Sequence, residues 1–240
     1  MKLCGVNINC HHYQELLKIS DYPKLVVTVN AEAIVRSQSN KRLREIINNH
    51  VSTIDGQIPL WLYRHRYKDI DVEKISGSDL IYSLPEYAEK TSFKVFLLGG
   101  QEDSNRGAII ELKKRYANLN IEGYSPAFSP YPFTSKINND IRERISIFKP
   151  DFLFVGFGMG KQEFWAEDNY EFLKELGVKL IVGCGGSFEF ASGKIKRAPA
   201  YIQNIGLEGV WRLLKEFKWF RLKRLLISLK IFYYYAIDNK

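Results

Sequence analysis

Short apolar runs rich in β-branched and aromatic residues recur along the chain, each closing on a glycine or polar turn before a stretch of helical period. The clearest run over residues 25–29, 93–98, 152–157 and 179–182 and are predicted to be buried parallel strands. Helical spacing is predicted over 37–48, 79–90, 104–116, 134–148 and 162–176, the last ending before Gly177 as its C′ residue. Alternation of this kind specifies an α/β fold, a Rossmann-like, mostly parallel sheet with flanking helices, whose ligands bind at the carboxyl ends of the strands. Beyond Gly193 the pattern changes to two predicted helices, 200–215 and 217–234. In the second, Leu222, Leu225, Leu226, Leu229, Phe232 and Tyr233 form one helical stripe. The expected organisation is an α/β core over 1–193 and a helical appendage over 194–240.

Charge sharpens that boundary. From Lys194 to Lys240 there are 11 Lys/Arg and 3 Asp/Glu, whereas residues 1–193 hold 24 of each sign. A neutral body with a cationic, aromatic-rich tail fits a catalyst held against an anionic membrane surface, and nucleic acid is the competing polyanion. A terminal helix docked on the core through its stripe shows the same periodicity, so pattern alone leaves both arrangements open. The apolar stretch near the end is interrupted by Lys230 and falls short of the roughly 20 residues that span a bilayer, so contact is expected to be peripheral. The N-terminus lacks the apolar region of a signal peptide. Cys4, Cys10 and Cys184 show no disulfide or metal spacing, which fits a reducing compartment.

The candidate chemistry lies in the loops after the strands. Three of them are glycine-rich: Gly99-Gly100, then Gly156-Phe157-Gly158-Met159-Gly160, then Gly183-Cys184-Gly185-Gly186. Glycine lets a ligand approach the backbone, and a following helix start offers N–H groups to phosphate. The second triplet runs into Lys161-Gln162-Glu163, an ammonium and an amide in the first helical turn. A dinucleotide site is disfavoured, because the next strand ends Val182-Gly183-Cys184 without the carboxylate that takes ribose hydroxyls. Asp55 ends a short apolar segment and suits a general base at a strand terminus, although an Asp before Gly56 also suits an Asx-turn or helix cap. If the extended chain runs on through Thr28, Asn30 and Glu32, these three share a face. Asp69 and Asp71 follow a basic, aromatic stretch and read as a solvated loop, and His11, His12, His50 and His65 show no metal spacing.

Taken in order, Thr28-Val29-Asn30-Ala31-Glu32, Asp55-Gly56, Gly77-Ser78-Asp79-Leu80, Leu97-Leu98-Gly99-Gly100, Gly156-Phe157-Gly158-Met159-Gly160-Lys161-Gln162-Glu163, Gly183-Cys184-Gly185-Gly186-Ser187-Phe188 and Arg197-Ala198-Pro199 resemble the WecG/TagA/CpsF family of glycosyltransferases. The resemblance covers about residues 23–225 and is most specific at the Lys-Gln-Glu and Arg-Ala-Pro elements. It implies an inverting, metal-independent enzyme without a cofactor. Such an enzyme moves a sugar, in many members N-acetylmannosamine or its uronic acid, from a UDP donor to a polyprenyl-diphosphate-linked sugar in cell-envelope polysaccharide assembly. A UDP-glucose or other UDP-hexose donor is the alternative within the class, and a nucleic-acid-binding α/β protein is the alternative outside it. The resemblance further implies work at the cytoplasmic face of the membrane, on whose anionic surface the enzyme is peripherally held, and leaves room for a homo-oligomer.

Residue by residue, the resemblance makes Asp55 the base and Thr28 and Asn30 its active-site companions. Donor binding is assigned to Gly99, Gly100, Gly156, Gly158, Lys161, Gln162, Gly185 and Gly186. Arg197, Arg212, Arg221 and Arg224 are assigned to the diphosphate and the membrane. Gly160 stands where proline is usual and Glu189 where aspartate is usual. Glu216-Phe217 replaces Glu-Pro before the terminal arginines. The bulky segment Pro59-Leu60-Trp61-Leu62-Tyr63 points to a changed pocket beside Asp-Gly.

Overall fold

The computed structural model describes residues 1–215, 217 and 219–238, with the side chains of Arg212 and Phe220 outside the description. Along the chain the elements are β1 (Lys2–Leu3), β2 (Val6–Asn7), α1 (Tyr13–Leu16), β3 (Lys24–Val29), α2 (Ala31–Ser39), α3 (Lys41–Asn49), β4 (Val51–Ile54), α4 (Gln57–Arg66) and α5 (Gly77–Thr91). They continue as β5 (Val95–Gly99), α6 (Glu102–Arg115), β6 (Ile121–Tyr124), α7 (Ser135–Phe148), β7 (Phe152–Gly156), α8 (Lys161–Asp168), α9 (Tyr170–Glu175), β8 (Leu180–Gly183) and α10 (Ser187–Ala191). The C-terminal segment holds α11 (Ala200–Asn204), α12 (Glu208–Lys215), α13 (Trp219–Leu229) and α14 (Ile231–Asp238). A six-stranded parallel sheet runs in the order β4-β3-β8-β7-β5-β6, and β1 and β2 form a separate antiparallel pair.

The α/β expectation is met, and the chain divides into two compact units. One comprises Met1–Leu17, Val27–Ser76 and Lys196–Lys240; the other comprises Lys18–Val26 and Gly77–Ile195. In the second unit β5, β7 and β8 are buried nearly throughout, which is why they read as continuous apolar runs without alternation. Phe152, Phe154, Phe96 and Trp165 fill its core. The register pairs Gly99 with Gly156 and Val155 with Gly183, so the three glycine-rich turns leave the sheet at one level. In the first unit α13 and α14 both lie against α2.

Four expectations are corrected by local chemistry. The helix predicted over 37–48 is two helices, because Asn40 ends α2 and its side chain accepts the Leu43 N–H at 2.9 Å to cap α3. The helix predicted over 162–176 breaks at Asn169 into α8 and α9, with Gly177 at φ +80° closing the second as expected. Among the described residues the two predicted C-terminal helices are four, with Gly206 at φ +76° between the first pair. The predicted stripe therefore does not dock as one surface: Leu226, Leu229, Phe232 and Tyr233 are all at least half exposed, while Arg221 and Ile231 are buried. The short β4 and β6 and the helix α10 carried too few residues for periodicity to mark them.

Candidate active site

In the first unit the carboxyl ends of β3 and β4 carry three of the expected residues. Thr28 is a buried strand residue of β3. Asn30 follows the strand and caps α2, its side chain accepting the Ala33 N–H at 3.0 Å. Here the extended chain stops, so Thr28, Asn30 and Glu32 do not share a strand face; Glu32 stands in the first turn of α2. Asp55 comes directly after β4 and donates its backbone N–H to the Val29 carbonyl at 3.0 Å, which brings it level with Asn30. Its side chain is half-buried and is not the cap of α4, a position held by Gly56 at φ +90°. The turn into α4 is thus made by the glycine, which holds the N-cap position itself.

The appendage residues of the same unit are tied down individually. Arg224 Nε meets Glu32 Oε2 at 2.5 Å, and Arg36 Nε meets Glu32 Oε1 at 2.8 Å. Arg221 is buried, and Arg197 Nε lies 3.5 Å from Glu208 Oε1. Arg212 lies on α12 with its side chain outside the described residues. At the far end Asp238 pairs with Arg66 and accepts the Cys4 N–H at 2.8 Å. Sequence spacing alone offered no sign of the Glu32–Arg224 pair, since the partners are 192 positions apart. Asp69 and Asp71 are exposed and Cys4 and Cys10 buried, and among the described residues no His/Cys/Asp/Glu group could hold a metal ion.

In the second unit the glycines divide into two kinds. A Cβ on Gly99 would meet the Phe157 ring at 2.7 Å, one on Gly100 the Phe188 ring at 2.8 Å, and one on Gly156 the same ring at 2.8 Å. These three glycines make room for aromatic packing. Gly158 and Gly185, both at positive φ, have nothing within 4 Å of such a Cβ and border open space. Gly186 is half-buried and caps α10.

Gln162 connects these turns. Only 2% exposed, it accepts the Gly158 N–H at 3.2 Å and the Gly185 N–H at 3.0 Å through one oxygen, and its amide nitrogen donates to Glu163 Oε1 at 2.8 Å. Glu163 in turn accepts the Gly160 N–H at 2.6 Å. The amide and carboxylate that follow the glycine triplet therefore act on backbone groups and hold two turns in one geometry. Lys161 is half-exposed; its Nζ donates to the Ser129 carbonyl at 3.2 Å and lies 4.9 Å from the centre of the Phe128 ring. That ring is 95% exposed and was not singled out by the sequence, because a lone aromatic in a Pro/Ser-rich loop carries no periodicity.

Comparison with known proteins bears on the whole chain. The glycosyl transferase WecG/TagA/CpsF family matches residues 1–240. The N-acetylglucosaminyldiphosphoundecaprenol N-acetyl-beta-D-mannosaminyltransferases of Staphylococcus aureus strains MRSA252 and MW2 are each 30% identical over 212 residues, covering 87% of this chain and 78% of theirs. With the match running from one end to the other, the chain belongs to the WecG/TagA/CpsF family and is a glycosyltransferase.

Proposed function

We propose that the protein transfers N-acetylmannosamine, with inversion, from a UDP donor to N-acetylglucosaminyl-diphosphate-polyprenol, with Asp55 as the general base. The support is the position of Asp55: half-buried, directly after β4, and held level with Asn30 by the Val29 carbonyl. An acceptor hydroxyl needs a carboxylate to take its proton as the anomeric carbon becomes cationic and the diphosphate leaves from the opposite face. A β product, as in the names of the staphylococcal relatives, requires inversion when the nucleotide sugar is α-linked. Asn30 orients a sugar hydroxyl beside the base, and the buried Thr28 sets the strand end from which both project.

Leaving-group charge needs cations and N–H donors: the first unit offers Arg221 and Arg224 with Arg197 and Arg212, and the second, taken by itself, offers Lys161. The open Gly158 and Gly185 turns, stapled by Gln162, suit close approach of a nucleotide, and Phe128 beside Lys161 offers an aromatic face to a base. Gly99, Gly100 and Gly156 serve the donor indirectly, by seating Phe157 and Phe188 beneath the turns; Gly186 starts the helix that carries Phe188. No described helix is long and apolar enough to cross a membrane. Exposed Leu214, Trp219, Leu226 and Phe232 beside Lys223 and Lys230 suit contact with an anionic lipid surface, where each cation adds about 1 kcal/mol.

Incubation with a panel of UDP-sugars and a short-chain polyprenyl-diphosphate N-acetylglucosamine, read by product mass, tests the reading. One added N-acetylhexosamine from the manno donor is expected, and exclusive use of a UDP-hexose would replace that donor assignment. The Asp55→Asn variant is expected to lose roughly 100-fold or more in turnover, the range of general-base removal, while still binding UDP. Turnover near that of the unaltered enzyme would remove Asp55 from the mechanism.

A further inference from the structure

Glu32 is a buried carboxylate, its side chain 5% exposed, with a guanidinium on each oxygen. Arg36 on Oε1 is an ordinary partner one helical turn along α2, and it supplies a counter-charge by itself. The second guanidinium belongs to Arg224 on α13 and reaches Oε2 at 2.5 Å. A helix that lies against α2 through an otherwise half-exposed apolar stripe thus gains one polar contact of fixed geometry.

The form of that contact matters. Arg224 engages through Nε, and its side chain remains 45% exposed. A guanidinium is planar with its five N–H groups in a rigid fork, so a carboxylate at Nε sets the direction of the edge formed by Nη1 and Nη2. That edge matches the paired oxygens of a phosphate. A long, unrestrained arginine would surrender rotamer freedom on meeting an anion, and one already held surrenders less.

We propose that Glu32 is a positioning residue: it seats α13 on α2 and holds the Nη edge of Arg224 in one direction, ready for the paired oxygens of a phosphate. The identity of the anion rests on the donor reading above, whereas the seating of α13 does not. Asn30 caps the same helical turn that carries Glu32, so active-site segment and appendage are joined within one turn of α2.

Three variants separate this role from a purely structural one, with UDP binding followed by calorimetry and α13 followed by hydrogen exchange. Glu32→Gln is expected to speed exchange in α13 at least 10-fold, leave β3 unchanged, and weaken UDP binding roughly 10-fold, as loss of a charge-assisted bond does. Arg224→Lys still offers Glu32 a cation and is expected to keep α13 protected, yet to weaken UDP binding roughly 10-fold for want of a second edge. Arg36→Gln is expected to leave both readouts near those of the unaltered protein. Unchanged UDP affinity in Glu32→Gln and Arg224→Lys, with or without faster exchange, overturns the proposal. Should the unaltered protein bind no UDP, the donor reading and the anion assigned to Arg224 both fall, and the exchange arm still decides whether Glu32 seats α13.

Discussion

Asp55 owes its position to neighbours on either side. The Val29 carbonyl fixes its backbone and Gly56, at φ +90°, makes the turn into α4. With ψ at 152°, an alanine at 56 would be forced into a region essentially reserved for glycine, at about 1–3 kcal/mol, so Gly56→Ala is expected to lower both the urea midpoint and turnover. At Gly156 the reason is packing. A Cβ there would approach Phe188 to 2.8 Å and the Gly185 carbonyl to 3.1 Å, and Gly156→Ala is expected to cost about 1–3 kcal/mol by overpacking, measurable in urea. Burial pushes the Cys184 thiol far above its usual range and Cys4 up to about 11, the latter also through nearby Asp238. Thiolate is then scarce near neutrality, and both cysteines are expected to resist alkylation in native protein while reacting fully in denaturant.

At the scale of elements, helix starts carry the design. Asn30 caps α2, Asn40 caps α3, Thr134 caps α7, and Glu163 reaches back to the Gly160 N–H at the start of α8. Gln162 extends that logic from one helix to two turns. Removing its side chain in Gln162→Ala strips a partner from the half-buried Gly158 and Gly185 N–H groups, at about 0.5–1.5 kcal/mol for each hydrogen bond lost. UDP affinity is expected to fall with it. Gln162→Glu is expected to do no better, since it would set a second carboxylate 2.8 Å from Glu163 Oε1. A donor-contacting glutamine without a stapling role would instead show weaker UDP binding and an unaltered urea midpoint.

At the scale of the molecule, the charge partition first visible in composition coincides with exposed apolar surface. Leu214 and Trp219 are 78% and 76% exposed, beside a segment that holds 11 of the 35 Lys/Arg. Exposed apolar side chains in a cationic segment suit the contact with an anionic surface proposed above. Truncation before Leu213 is expected to abolish sedimentation with anionic vesicles, and raised salt is expected to weaken it in the full chain because exposed charges are screened. Truncated protein that still sediments would assign the contact to another surface.

The sequence by itself determined the α/β class, the four buried strands, the three glycine-rich turns and the family. Each is written in local signals, namely runs of β-branched residues, glycine where a turn leaves a strand, and short motifs kept in order. Only the tertiary structure decided why particular glycines are required, because the rings that fill the space over Gly99, Gly100 and Gly156 come from Phe157 and Phe188, brought there by strand register. It likewise turned Gln162 into a staple and Glu32 into the seat of Arg224. Hydrogen bonds and ion pairs between distant segments leave no periodic trace in a single chain, since the partners are chosen by where the fold delivers them.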